Sequence, residues 1–130
     1  MKDNEYWFED NSYSPILDML IIADFKTYVV YSFYDKDKNP IYVGKSINFV
    51  DRYDWHRRKP YYQEIEYIGF RQYNNRAEMD LAELFQIQNK LPKYNKSGKF
   101  NETLKLVSFQ DFSKEEIFTR SNVERYFDNK

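Results

Sequence analysis

The sequence predicts an α/β fold, and three local patterns carry that expectation. Residues 28–33 are β-branched and aromatic, Asp35-Lys36-Asp37-Lys38-Asn39-Pro40 has turn chemistry, and Ile41-Tyr42-Val43 resumes the apolar pattern, as in a β-hairpin. Asn75 followed by Glu78 has the form of a capping box and opens a helix from Arg76 to about Lys90, stopped by Pro92. Strand-like and helix-like segments then alternate, in the order helix, β, β, α, β, α and a final β and α.

Each element has a local reason. Ser14-Pro15 offers an N-cap and a proline at the first helical position, leading into a short buried helix over Ile16 to Ala23. Gly44 ends the second hairpin strand, and Asn48 with Asp51 caps a helix reaching about Arg58, before Pro60. Ile65 to Tyr73 alternates as a third strand, with Ile65, Tyr67 and Gly69 on one face and Glu66, Ile68 and Phe70 on the other. Ser97-Gly98-Lys99 reads as a turn and Leu104 to Phe109 as an edge strand. Ser113 with Glu116 forms a second capping box, opening a helix to about Phe127.

Composition bounds the function. At 130 residues one domain is expected, and thirteen tyrosines with eleven phenylalanines make a packed core feasible despite low mean hydropathy. The absence of cysteine excludes disulfides, thiolate zinc sites and cysteine nucleophiles. The longest apolar run, Ile16 to Ala23 interrupted by Asp18, is too short for a membrane span, and the N-terminus carries acids where a signal peptide needs cations. A cytoplasmic protein with no membrane partner is expected. Abundant Lys, Asn, Ile, Tyr and Phe with scarce Ala, Gly and Pro fit an AT-rich genome, such as those of low-GC bacteria and their phages. The net charge of −1 argues against a generic nucleic-acid coat but hides an asymmetry. Residues 1–24 carry −5, whereas residues 41–99 carry eleven Lys and Arg against seven acids. The acidic arm is a candidate gate against DNA or a candidate surface for a protein partner.

The chemistry-bearing residues form a spaced constellation. Tyr31 is followed eleven residues later by Tyr42-Val43-Gly44-Lys45, with Arg52 ten residues beyond Tyr42 and His56 one helical turn further. Glu83 stands nine residues before Pro92, with Asn95 ending that stretch. A phenol takes a proton from water only if cations stabilise the phenolate, and Lys45 and Arg52 are near Tyr42 in sequence. Tyr31 on the neighbouring strand would be its cross-strand partner. Arg52 and His56, four apart, share a helix face, where a guanidinium can clamp phosphate oxygens. Glu83, between Met79 and Ile87 on an apolar stripe, would need a partner such as a divalent cation. Asn95 either caps its turn or bonds a catalytic group. Arg57-Arg58-Lys59 is a cationic cluster that suits backbone phosphate contacts, or else a solvated helix end complementing the macrodipole.

This spacing resembles the paired signature of the GIY-YIG endonucleases over residues 27–96, with Val29 standing where the family name has glycine. The resemblance implies a small three-stranded antiparallel sheet flanked by helices, here with a helical N-terminal extension (1–26) and a β/α C-terminal extension (97–130). It also implies metal-dependent cleavage of DNA: Tyr42, aided by Tyr31 and Lys45, activating water, and Arg52 stabilising the pentacovalent charge. His56 would support the leaving or attacking oxygen, and Glu83 would hold Mg²⁺ or Mn²⁺. With so few residues outside the motif segment, a freestanding phage or mobile-element nuclease is expected, homodimerisation being one way to cut both strands. The rival is a binding protein that kept the scaffold without the activity. Tyr67-Ile68-Gly69 repeats half the signature but is a decoy, since Ala77 stands where an arginine is needed and Phe70 where Lys45 follows Tyr42. Asp35, Asp37 and Asn39 likewise imitate an EF-hand start, but Pro40 and Ser46 occupy the glycine and glutamate positions.

Overall fold

Local chain preferences and long-range pairing divide the work of building this fold, which a computed structural model describes for residues 4–22, 25–95, 111 and 113–128. In chain order the elements are β1 (Glu5–Trp7), α1 (Pro15–Leu20), β2 (Tyr28–Tyr34), β3 (Pro40–Ser46), α2 (Phe49–His56), a 3-10 turn (Pro60–Glu64), β4 (Tyr67–Tyr73), α3 (Arg76–Lys90), β5 (Glu115–Thr119) and α4 (Arg120–Asp128). The expected turn at residues 97–99 and edge strand at residues 104–109 lie outside the described residues, as does Ala23.

The α/β class holds, but the sheet is five-stranded and mixed, in the order β1-β5-β4-β2-β3, and not a three-stranded antiparallel one. Three antiparallel strands, β3, β2 and β4, form its one side. β5 then pairs antiparallel with β4, and β1 pairs parallel with β5 through Glu5↔Glu115 to Trp7↔Ile117. Both extensions are therefore strands of the same sheet. The second capping box does not form: Ser113 and Glu116 precede and enter β5, where Glu116 faces α1 and accepts a hydrogen bond from the Ser14 hydroxyl. The helix starts later, at Arg120, where the Asn122 amide donates to Thr119 Oγ1 at 3.2 Å. Ile117-Phe118-Thr119 is β-branched and aromatic, and a neighbouring strand to pair with outweighed the local capping signal.

Strand alternation sends Tyr31, Phe33, Ile68, Phe70 and Phe118 to one face, where they pack against α1, α2 and α4 through Leu17, Phe49, Tyr53, Val123 and Phe127. Val30 and Val43 go to the other face, against Met79, Ala82 and Ile87 of α3. Ile65, just before β4, joins the first face with Ile68, against the alternation expected of it. Helix α3 has the boundaries its caps predict: the Glu78 amide donates to Asn75 Oδ1 at 2.9 Å, and Leu91 ends it in the left-handed conformation (φ 47°) before Pro92. Helix α2 ends at His56, two residues early, because Arg57 leads into the turn that reaches Pro60. The hairpin turn is held by Asp35 Oδ1, which accepts from the amides of Asp37 and Asn39, both at 2.9 Å.

Under α3 the sheet carries a buried charge network. Lys90 Nζ donates to Ser32 Oγ at 2.9 Å, Tyr34 Oη at 2.7 Å and Glu115 Oε1 at 2.9 Å, while Arg71 Nη1 donates to the Ser113 carbonyl at 2.7 Å. Tyr34 Oη donates to Glu115 Oε2 at 2.6 Å, and Glu115 is 1% exposed. A side chain on Gly69 would overlap that same carboxylate, so the decoy glycine is there to admit Glu115.

Candidate functional site

Four of the motif residues, Tyr31, Tyr42, Arg52 and His56, converge where β2, β3 and α2 meet. Tyr31 pairs in register with Gly44, and a Cβ on Gly44 would stand 2.5 Å from the Tyr31 hydroxyl and 2.9 Å from a Tyr42 ring carbon. Glycine at this position lets the Tyr31 phenol lie across β3. Tyr42 is opposite Phe33, so it is the diagonal and not the direct partner of Tyr31, with ring centroids 6.2 Å apart.

His56 closes the cluster from the end of α2. Its ring packs edge-on against Tyr42 at 4.7 Å and Phe33 at 4.8 Å. Its Nε2 lies 2.7 Å from the Tyr31 hydroxyl and its Nδ1 lies 2.5 Å from the Tyr61 hydroxyl. Arg52, one turn earlier on the same face, donates from Nε to the Tyr31 hydroxyl at 3.4 Å and lays its guanidinium 4.0 Å from the Trp55 ring centre. Both nitrogens of His56 are thus engaged by phenols. Neither nitrogen is left over for the direct contact with a reacting oxygen expected of His56.

Burial sets the protonation states. It pushes the Tyr31 hydroxyl well above the ordinary phenol range, reinforced by Tyr42, although Arg52 works the other way. Tyr31 is a proton-bearing donor. Burial also lowers His56 to about 3, helped by the cations of Arg52 and Lys59, so the imidazole is neutral. Burial opposes the Arg52 charge, but the Tyr31 and Tyr42 oxygens outweigh it.

Lys45 does not serve the phenols. Strand alternation turns it to the opposite face from Tyr42, where Nζ reaches Asp80 Oδ1 at 2.8 Å and Glu83 Oε1 at 3.7 Å on α3. Its charge is held up chiefly by the Asp80 hydrogen bond. Glu83 sits on the expected apolar margin beside buried Met79 and Ile87, and its carboxyl is raised by burial, with Lys45 and Arg52 pulling it back. Arg52 therefore links the two halves of the site electrostatically. Among the described residues no three His, Asp or Glu groups converge on one point. The donor set is one carboxylate, with Asp80 a turn away; that composition matches Mg²⁺, which leaves most positions to water and substrate phosphate.

Asn95 clamps β3. Its Oδ1 accepts from the Val43 amide and its Nδ2 donates to the Val43 carbonyl, both at 2.8 Å, while the Tyr94 amide donates to the Ile41 carbonyl at 2.8 Å. The segment after α3 thereby covers the sheet edge and fixes the strand between Tyr42 and Gly44. In the cationic cluster, Arg57 is tied to Asp128 at 3.5 Å and lies over Tyr53, away from the phenols. Lys59 lies 3.9 Å from the Trp55 ring centre, and Arg58 is exposed.

Three contributors escaped the sequence reading. Asp80 precedes Glu83 by three on α3, a helical spacing that would have found it. Trp55 shares α2 with Arg52. Tyr61 follows Pro60 and stacks on Tyr42 at 5.7 Å and on Tyr94 at 5.2 Å; only the turn at residues 60–64 brings it to His56. Of the acidic arm, β1 lies at the sheet edge opposite β3, and Asp10 accepts from Thr119 at 2.8 Å. No helix among the described residues is long and apolar enough to cross a membrane. In comparisons with known proteins, no family profile, curated protein or solved structure matches this chain.

Proposed function

We propose that this protein is a metal-dependent endonuclease that hydrolyses DNA phosphodiester bonds, as the GIY-YIG enzymes it resembles do. The observation that carries the reading is the single cluster of Tyr31, Tyr42, Arg52 and His56, with Glu83 within reach of the Arg52 charge. Five separated sequence positions supply two phenols, one of them at the margin of the cluster, a guanidinium, a neutral imidazole and a carboxylate.

In this reading Tyr42, its own proton released to solvent and its phenolate held by the Arg52 charge, takes the proton of the attacking water, because the one Tyr31 proton is committed to His56. Arg52 hydrogen-bonds the phosphate oxygens as their charge grows, a role worth roughly 10²-fold or more. Glu83 would hold Mg²⁺ or Mn²⁺. The ion's contribution would be to polarise the phosphate and neutralise its charge. Lys45 keeps the Asp80 and Glu83 carboxylates together, and Asn95 holds the strand bearing Tyr42. Lys59 and Arg58 are placed to position a backbone. A phage or mobile-element enzyme, acting as a monomer or a homodimer, fits the expectation from sequence.

The test is incubation of purified protein with plasmid and Mg²⁺, with Glu83→Ala as control. Nicking or cutting by the wild type and none by the variant is expected; equal cleavage by both would break the site assignment. A second reading, a non-catalytic binding protein on this scaffold, is favoured by the pairing of Lys45 with Asp80 away from the phenols. It predicts DNA or protein binding with no metal-dependent cleavage.

A further inference from the structure

The hydrogen bonds around Tyr31 can be ordered by elimination. Arg52 Nε–H can only donate, so the Tyr31 oxygen accepts there at 3.4 Å. Tyr31 is fully buried, and its hydroxyl has one other hydrogen-bonding neighbour among the described residues, His56 Nε2 at 2.7 Å. If Nε2 carried a proton, the Tyr31 oxygen would accept twice and its own proton would be buried without an acceptor, which costs about 1–3 kcal/mol. The Tyr31 proton therefore goes to Nε2. In a neutral imidazole the remaining hydrogen is on Nδ1, and it is donated to the Tyr61 hydroxyl at 2.5 Å.

We propose that Tyr61 is a positioning residue, fixing His56 as the Nδ1–H tautomer so that Nε2 holds the Tyr31 hydroxyl and leaves its oxygen turned toward Arg52. The order is Arg52 to Tyr31 to His56 to Tyr61, each group donating to the next. Tyr61 is suited to the end of the chain because it is half-buried, whereas Tyr31 and His56 are fully buried. Stacking between Tyr42 and Tyr94 locks its ring in place. The consequence for cleavage rests on the nuclease reading above, whereas the tautomer does not.

His56 is the single histidine of the chain, so nitrogen-15 NMR of the uniformly labelled protein reads one imidazole without assignment. At neutral pH the wild type should show a protonated Nδ1 and an unprotonated Nε2. Tyr61→Phe keeps the ring and its stacking and should lose that exclusive pattern, with cleavage falling about tenfold, as when an imidazole loses its orienting partner. Tyr94→Phe should change neither. A wild-type spectrum showing Nε2–H overturns the proposal even if Tyr61→Phe fails to fold. So does an unchanged imidazole pattern in a folded Tyr61→Phe, or wild-type cleavage by that variant. If the wild type cuts nothing while its spectrum shows Nδ1–H, the nuclease reading falls and takes the catalytic consequence with it; an Nε2–H spectrum in a protein that cuts removes only the role of Tyr61.

Discussion

Two tyrosine-x-glycine triplets flank β2, one on each side: Tyr42-Val43-Gly44 on β3 and Tyr67-Ile68-Gly69 on β4. Their letters are nearly the same and their glycines serve the same steric purpose, yet they admit different guests. Gly44 makes room for the Tyr31 phenol on the α2 face, beside groups with solvent access. Gly69 makes room for the Glu115 carboxylate on the α3 face, inside a network whose charges are almost wholly buried. The lesson is that a motif acquires meaning from what lies across the strand. A phenol beside a guanidinium and an imidazole is a candidate for chemistry, whereas a carboxylate locked between Lys90 and Arg71 is a structural charge.

The largest expected effect separates the two glycines by stability. Gly69→Ala forces Glu115 out of contact with Lys90 and Arg71, and breaking a buried pair in this way costs about 3–5 kcal/mol. Gly44→Ala must displace the Tyr31 phenol, for about 1–3 kcal/mol of overpacking, and should abolish cleavage in the molecules that remain folded. Urea unfolding at a common pH measures both; equal midpoints would erase the distinction.

The next effect separates the two tyrosines by activity. Tyr42→Phe removes only a hydroxyl and should slow cleavage about 10²-fold, the scale of a lost general base. Tyr67→Phe should cut at nearly the wild-type rate, because its ring packs on Trp7 at 5.3 Å at the far side of the sheet. Equal losses in single-turnover rates would mean that both tyrosines are structural.

A pH series sharpens the same contrast. The His56 pKa is about 3 in the folded protein against 6.5 unfolded, so the unfolded chain binds more protons as pH falls below 6.5. Stability from the neutral imidazole is complete above that pH and is lost progressively toward 3. Between pH 7 and 5 the loss should be about 2 kcal/mol. His56→Gln should flatten this part of the denaturation profile; a slope equal to that of the wild type would show that other groups carry it.

The smallest effect concerns the acidic arm. Because β1 lies at the opposite edge from β3, neutralising Glu5, Glu9 and Asp10 should change DNA affinity only slightly, and only at low salt. A strong gain in affinity in filter binding would return the arm to the role of a gate.

The sequence by itself determined what local chemistry can specify. The bounds of α3 follow from Asn75, Glu78 and Pro92, and the hairpin follows from Asp35 and its turn, because caps and turns close hydrogen bonds within a few residues. The clustering of Tyr31, Tyr42, Arg52 and His56 was legible for a related reason: β2, β3 and α2 are consecutive and joined by short connections, so spacing in sequence becomes proximity in space. Tertiary structure alone decided the rest. Residues 5–7 and 115–117 pair across more than a hundred positions, and a strand of three residues has too little alternation to announce itself. That pairing turned the Ser113 and Glu116 capping box into a strand entry, placed β1 at the sheet edge opposite β3 and enlarged the sheet from three strands to five. Lys45 was assigned to Tyr42 by nearness in sequence and lost to Asp80 and Glu83 by pleating, since residues of opposite parity on a strand face opposite layers.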